Sequence, residues 1–546
     1  MSPDPGPPPV PLALADGTPL EDFLAQVPEL ALPDRYVLVE QALALLEGYY
    51  VHLDLKKAMH AVNPVQRLRL LEARMAALTT REFHAELTAT FGSLRDLHTQ
   101  YLLPRPWTGH VATLGLLVER CWDTPDAGPR YVVSKLHPTL AVGTFGEGAQ
   151  VLLWNGTPVH VAVERLAERS GGSNPHAAQA RAVERLTLRD LRTSPPPDER
   201  HVTVTYRPDG TDDVEHEVRL GWRVLAHEPG TAAADVVDGA APGGGTADGT
   251  ADGTVGDVVA AWLPTHGIDA AGEAQRRVKR SLFAPRATAT PARPMRPLLN
   301  ARTLATASGQ VGYLRLYSFN TPAVRPFLDE AAALLAGLPA DRLVVDVRAN
   351  PGGNILAAEG LLQLLVAGRD VEPARFSLAT TAAVADLCQA DPSLAPWAAS
   401  AAAGVETGER YTTTSPLSAP RALAGQRFRY PGRVVLVTDA LAYSAADIFA
   451  AGFADNRLGV VLGTDPATGA GGANVWTHDL LRSLLPDALR PLPASAGLRV
   501  ALRRATRADG SPLEDLGVVP DAVHRPTRRD LRDNGDLFDA AAALLG

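Results

Sequence analysis

The chain has 546 residues, 46% of them hydrophobic, and a formal net charge of −9 at neutral pH. That length is too great for one ordinary core, so several domains are expected. The acidic balance disfavours nucleic acid as a partner, no apolar run of about 18 residues is present to span a membrane, and two cysteines, Cys121 and Cys388, exclude a disulfide framework or a cysteine-rich zinc site.

The first nine residues are proline-rich and lack both the basic stretch and the apolar core of a secretory leader. Residues 1–19 are expected to form a disordered tail, and the protein to be cytoplasmic. A helix should open at Asp34, after Pro33, because Leu38, Ala42, Leu45, Leu46 and Tyr49 recur at helical spacing. Asn63 followed by Pro64 marks the start of a second helix with a stripe of Leu68, Leu71, Met75 and Leu78. Thr79 and Glu82 make a capping box for a third, with Phe83, Leu87 and Phe91 on one face. Residues 20–105 therefore read as a helical N-terminal domain whose stripes are plain core. His98 lies just beyond the third helix, in Leu94-Arg95-Asp96-Leu97-His98-Thr99. A histidine at such a place is more commonly a packing or surface residue, so its chemistry depends on what else the chain supplies.

From about Gly109 the pattern turns to strands: Thr113 to Val118, Tyr131 to Val133, then a strand, the Asn155-Gly156 turn, a strand and a helix. After a polar insertion near 168–199, His201 to Tyr206 and Val214 to Leu220 flank a turn at Pro208-Asp209-Gly210. The order over 109–225 resembles an inserted PDZ-like module, a sheet whose edge takes up an extended peptide. The insertion could cover that edge, and a spacer would show the same pattern. Residues 228–257, with a recurring Thr-Ala-Asp-Gly, have nothing to bury and read as a low-complexity linker. Residues 258–300 read as a connector, and the basic stretch Arg276 to Arg280 within it as solvated surface.

Residues 301–546 are α/β in character. Val311 to Leu316 is a strand, Pro326 to Leu338 a helix, and Leu343 to Val347 a buried strand that ends in Arg348-Ala349-Asn350-Pro351-Gly352-Gly353-Asn354, before a helix from Ile355 to Val366. Two glycines between a buried strand and a helix let backbone amides converge on an anion, although a tight turn alone also requires glycine. The spacing is not a dinucleotide fingerprint. Strands at Val434 to Thr438, Leu458 to Gly463 and Leu498 to Ala505 follow. Between the first of these and the alanine-rich helix Ala445 to Ala451 stands Ser444. A serine at such a join, among small residues and at a helix start, is placed as a nucleophile must be. Most serines at such joins merely cap the helix.

The succession Gly-Tyr-Leu-Arg-Leu, Val-Val-Asp-Val-Arg-Ala-Asn-Pro-Gly-Gly-Asn, Tyr-Ser-Ala-Ala-Asp-Ile-Phe-Ala, Leu-Gly-Thr, and Glu514-Asp515-Leu516-Gly517-Val518-Val519-Pro520-Asp521 resembles the tail-specific or C-terminal processing serine peptidases, over residues 310–525. The resemblance implies an α/β fold with a ClpP/crotonase-like protease core, Ser444 as nucleophile, and amides around Gly352, Gly353 and Ala445 as the oxyanion hole. One branch of that family pairs its serine with a lysine in a Gly-Lys-Gly loop. Here the loop is Thr468-Gly469-Ala470-Gly471, the lysine position holds Ala470, and the only lysines are Lys56, Lys57, Lys135 and Lys279. A serine without a base is a poor nucleophile. The branch that includes the tricorn core and the chlamydial protease-like activity factor uses histidine and glutamate instead, in contexts similar to those of His98 and Glu514. The implied site is thus Ser444, His98 as general base and Glu514 to orient it, with Asp96 and His478 as alternates for orienting group and base. Such chemistry takes a protein or peptide substrate and needs neither metal nor organic cofactor; self-association is left open. Two rivals are a non-catalytic relative that binds peptides or apolar ligands, and a crotonase-like acyl-thioester enzyme, whose fold also uses paired amides for an oxyanion. The retained serine, histidine, glutamate and glycines argue against the first, and the serine at the turn against the second. With His98 and Ser444 so far apart in sequence, the site should exist only when the N-terminal and protease domains are docked.

Overall fold

The computed structural model describes residues 14–141, 143–210, 214–226, 279, 282–283, 298–321, 323–418 and 428–546. The low-complexity linker, nearly all of the connector and the first thirteen residues of the expected tail lie outside them. The last six residues of that tail are ordered, contrary to the expectation for 1–19: Leu14–Asp16 makes a 3-10 turn and Thr18–Pro19 pairs with Arg223 and Val224.

The N-terminal helices are Leu20–Leu24, Leu32–Gly48, Leu53–His60, Pro64–Arg74 and Thr80–Gly92. Asn63 accepts from the amide of Gln66, and Thr79 with Glu82 completes the reciprocal capping box, so both starts follow from local chemistry. The first long helix opens at Leu32, with Pro33 in its first turn, two residues earlier than expected. Leu38, Leu45, Leu71, Phe83 and Leu87 are buried in one core with the C-terminal half.

Two sheets follow. In the four-stranded one, His110–Thr113 lies between Arg223–Ala226 and Leu188–Asp190. The six-stranded one runs His216–Gly221, His201–Arg207, Gln150–Trp154, Arg130–Leu136, Leu116–Cys121, with Thr157–Pro158 on the third strand. The single strand expected from Thr113 to Val118 is broken at Gly115, whose φ of 77° turns the chain from one sheet to the other. The polar insertion contains a helix, Pro175–Arg185, capped by Asn174, and the strand Leu188–Asp190.

The protease half is built on a sheet ordered Leu299–Thr306, Gly309–Leu316, Arg342–Asp346, Arg433–Thr438, Val460–Gly463, Ala522–Val523, parallel except for the first pair. Side chains alternate across it. Val344, Val435 and Val437 meet Leu537, Phe538 and Ala541 of the last helix, whereas Leu343, Val345 and Leu436 belong to the main core with Phe327, Leu361 and Phe449. Burial on both faces explains why these strands read as continuous apolar runs.

A second sheet brings the two ends of the chain together. Its long strand, Gly497–Thr506, pairs with Arg375–Leu378 and Ala473–Thr477, and also with Gln100–Leu102 in the register Gln100 to Arg499, Tyr101 to Leu498. The amide of Val51 donates to the Ala501 carbonyl (3.1 Å), and the Ala501 amide donates to Thr99 Oγ1 (3.0 Å). The segment carrying His98 is thus stitched to a strand some 400 positions later. Among the described residues no helix is long and apolar enough to cross a membrane.

Candidate active site

Ser444 ends the turn after the strand Arg433–Thr438 and sits at the N-cap of the helix Ala445–Asp455. Its backbone is at φ 59°, ψ −124°, a conformation that costs a residue with a side chain about 1–3 kcal/mol. Its side chain makes no capping hydrogen bond, so the helix-cap explanation of this serine fails. Strain of this kind at a strand-to-helix turn is what lifts a nucleophilic hydroxyl off the backbone.

The Asn-Pro-Gly-Gly-Asn turn lies against the serine. A Cβ on Gly352 (φ 99°) would stand 2.5 Å from Ser444 Cβ, and one on Gly353 (φ 131°) would stand 2.3 Å from the Phe319 carbonyl carbon. No other residue fits either place. The turn is pinned by a parallel bridge, in which Phe319 donates to the Gly352 carbonyl and accepts from the Asn354 amide, both at 2.8 Å. One expectation needs correction: the Gly352 amide donates to Asn350 Oδ1 (2.9 Å), so it is engaged within the turn. The bridge leaves the Gly353 amide outside its two hydrogen bonds, and Ala445 is the first residue of its helix, where amides have no partner in the preceding turn.

His98 is buried, and its ring stacks on that of Tyr443, the residue before the serine, with centroids 4.6 Å apart at 29°. Tyr443 is itself fixed: its hydroxyl accepts from the Leu97 amide (3.2 Å), its amide donates to the Asn350 carbonyl (3.0 Å), and Gly471 abuts its ring. Asp96 holds the loop, with Oδ1 accepting from the His98 amide (2.7 Å) and Oδ2 from Thr99 Oγ1 (3.0 Å). The structure therefore brings His98 to the serine turn.

It also brings Glu514. Asp96, His98 and Glu514 each offer an atom within 4.8 Å of the others. Glu514 is fully buried on the turn after the long strand, where the amide of its neighbour Asp515 donates to the Ala470 carbonyl (3.3 Å). Burial pushes its carboxyl well above the usual range, and Asp96 and Asp515 push the same way. What opposes them is Lys56, from the N-terminal helix Leu53–His60, whose Nζ lies 2.7 Å from Glu514 Oε1 and 2.5 Å from Asp515 Oδ1. This lysine was not singled out from sequence. The only signal was its scarcity: four lysines in the chain, and a Glu-Asp pair in need of a cation. The three donors have the size of a metal site, but the ammonium on Glu514 opposes a second cation there.

Of the alternates, Asp96 joins the cluster and His478 does not. His478 is buried, with Nε2 3.1 Å from Gln41 Oε1. Ala470, at the place of the missing lysine, is fully buried at φ 62°. Its loop is tied to the serine helix by Asp447 Oδ2, which accepts from the Gly471 amide (2.7 Å). Burial raises the Asp447 carboxyl from 3.8 to about 7. Between those values the folded chain binds more protons than the unfolded one, so this contribution to stability is full below about pH 4 and lost as pH rises to about 7. Asp447→Asn, which keeps an acceptor for Gly471, should become more stable relative to the unsubstituted protein between pH 5 and pH 8, as read from paired thermal midpoints.

A strained serine, a histidine packed on its neighbour and a buried carboxylate beside that histidine, all on an α/β core, define a serine-type peptidase. Residues 310–524 match the sequence model of Peptidase family S41. Its fold is similar to that of mature CPAF complexed with lactacystin, at 18% identity and a TM-score of 0.63, covering 94% of this chain and 98% of that one. Mature CPAF alone gives 18% identity and 0.64, covering 94% and 97%. At that identity the likeness is one of fold, and it extends beyond the matched domain to the N-terminal helices and both intervening sheets.

Proposed function

We propose that this serine peptidase cleaves proteins or unstructured polypeptides through an acyl-enzyme on Ser444. The observation that carries the reading is the stacking of His98 on Tyr443 beside a serine held at φ 59°. His98 takes the Ser444 proton as Oγ attacks the scissile carbonyl, then gives it to the departing amine; water repeats the sequence to release the acid. Glu514 fixes the imidazole tautomer and stabilises its charged form. The Gly353 and Ala445 amides receive the oxyanion, with Gly352 supplying the turn rather than a donor.

The reading extends to architecture. The core is taken as ClpP/crotonase-like on the strength of its parallel sheet and the serine and glycine turns at the strand ends. The module over 109–225 is taken as PDZ-like, supported by its six-stranded sheet. There Arg120 on one outer strand donates to Gln179 of the insertion helix (2.6 Å), which directs attention to the other outer strand, His216–Gly221, for a peptide. A cytoplasmic setting is supported by two free, buried cysteines, and the acidic charge speaks against nucleic acid or anionic membrane as partners.

A fluorophosphonate probe should label the protein at Ser444, as located by mass spectrometry, and Ser444→Ala should lose the label together with hydrolysis of an unstructured protein. Lactacystin, present in a complex of the structural neighbour, should compete with that labelling if it binds at the same site here. Labelling elsewhere, or hydrolysis that survives Ser444→Ala, would sink the proposal.

A further inference from the structure

Three carboxylates converge where the chemistry of a serine peptidase needs one. Asp96 and Glu514 share the space around His98, and Asp515 adjoins Glu514. Carboxylates this close in a buried site cannot all ionise unless a cation is among them, and otherwise they share protons. Lys56 supplies the cation. Its side chain is 0% exposed, those of Glu514 and Asp515 are 0% and 3% exposed, and its Nζ touches both.

We infer that Lys56 is a positioning residue of the active site, drawing the Glu514 carboxyl back toward ionisation against its burial and orienting it beside His98. The inference rests on the serine peptidase reading above and adds a residue to it. An ionised Glu514 accepts a hydrogen bond from the protonated ring nitrogen of His98 and leaves the other nitrogen's lone pair for the Ser444 hydroxyl. A neutral Glu514 would donate into the ring, push the proton onto the nitrogen that faces serine, and abolish the base. Lys56 decides between these tautomers without touching substrate.

The surrounding groups leave that task to Lys56. His52, on the residue before the same helix, is fully buried and held neutral, its value lowered to about 3 mainly by burial. His60, 3.5 Å from Asp515, is also lowered, first by burial and then by Lys56. Arg504 and Arg95 act on these two histidines, and Tyr50 and Tyr443 are both raised by burial and by the carboxylates. Lys56 is not itself the missing base of the Ser-Lys arrangement: Glu514, Asp96 and Asp515 together outweigh burial and hold the ammonium more firmly charged than an ordinary lysine, whereas a base must release its proton near neutrality.

The test is the pH dependence of kcat and KM in the full chain. Lys56→Met should lower kcat/KM at pH 7 by about 100-fold, as loss of an outer partner does. KM should stay within about threefold, and the acid limb should move up by about one pH unit or more, so that the deficit narrows at pH 9. Lys56→Arg should recover part of the loss. A folded Lys56→Met protein with the original acid limb overturns the inference, whatever its stability. If Lys56→Met alone does not fold, Glu514→Gln is compared with the double variant, from which both charges are gone. Equal kcat/KM within about threefold supports action through Glu514, and a further loss of about tenfold or more overturns it. Hydrolysis that survives Ser444→Ala defeats the peptidase reading itself, and a dead Ser444→Ala beside an unaltered Lys56→Met profile defeats only the role of Lys56.

Discussion

His98→Ala should lower kcat/KM toward an unstructured protein by about 10⁴-fold or more, with KM little changed and the thermal midpoint near that of the unsubstituted chain. The size follows from the role: without a base the serine hydroxyl keeps its proton at neutral pH, and only binding and oxyanion stabilisation remain. The small structural effect follows from how the loop is held. Its hydrogen bonds run through the His98 amide, the Leu97 amide and Thr99 Oγ1, none of which the substitution removes. The ring goes with its face of the Tyr443 stack, a contact worth about 1 kcal/mol. Fluorophosphonate labelling of Ser444 should fall in parallel, and a variant that keeps full labelling would assign the base elsewhere.

Asp346→Ala should have the largest effect on stability, about 3–5 kcal/mol. Asp346 ends the strand before the glycine turn and is fully buried. It accepts from Tyr313 Oη (2.9 Å), Arg315 Nη1 (3.2 Å), and Arg348 through its amide (3.0 Å), Nε and Nη2 (2.8 Å). Although burial opposes ionisation, the two guanidinium groups hold its carboxyl far below the usual range. Removing it strands two cations, one of which, Arg348, also reaches Asn534 near the last helix (2.9 Å). Loss of this anchor should loosen the turn against Ser444, so activity should fall at temperatures below the melting transition. Urea and thermal unfolding of Asp346→Ala and Asp346→Asn give the comparison; the asparagine keeps an acceptor and should lose less.

Sequence made the serine legible because three local signals coincide there: an apolar strand, small residues and a helix start. His98 could be found only by elimination and resemblance, since nothing local marks it; the tyrosine it stacks on is adjacent to the serine in sequence but 345 positions from the histidine (443 − 98). Lys56 escaped notice because it sits on a helix of eight residues, Leu-Asp-Leu-Lys-Lys-Ala-Met-His, whose alternation of charged and apolar side chains looks like a surface. Only the fold reveals that one of its two adjacent lysines is inside and the other outside. The insertion helix was legible in principle. Asn174-Pro175 repeats the signal of Asn63-Pro64, but the charged residues around it masked the short apolar stripe of Ala177, Ala180 and Val183. Gly352 shows the opposite limit: sequence indicated a turn rich in free amides, and Asn350, two residues earlier, consumes one of them.

The contact between Lys56 and Glu514 joins positions 458 apart. A polypeptide is made from its N-terminus, so during synthesis His98 and Ser444 exist while Glu514 does not. With the roles proposed above, a product that stops short of this residue carries the nucleophile and the base but not the carboxylate that sets the tautomer. On the proposed reading, a chain truncated before Glu514 should therefore show no hydrolysis of an unstructured protein.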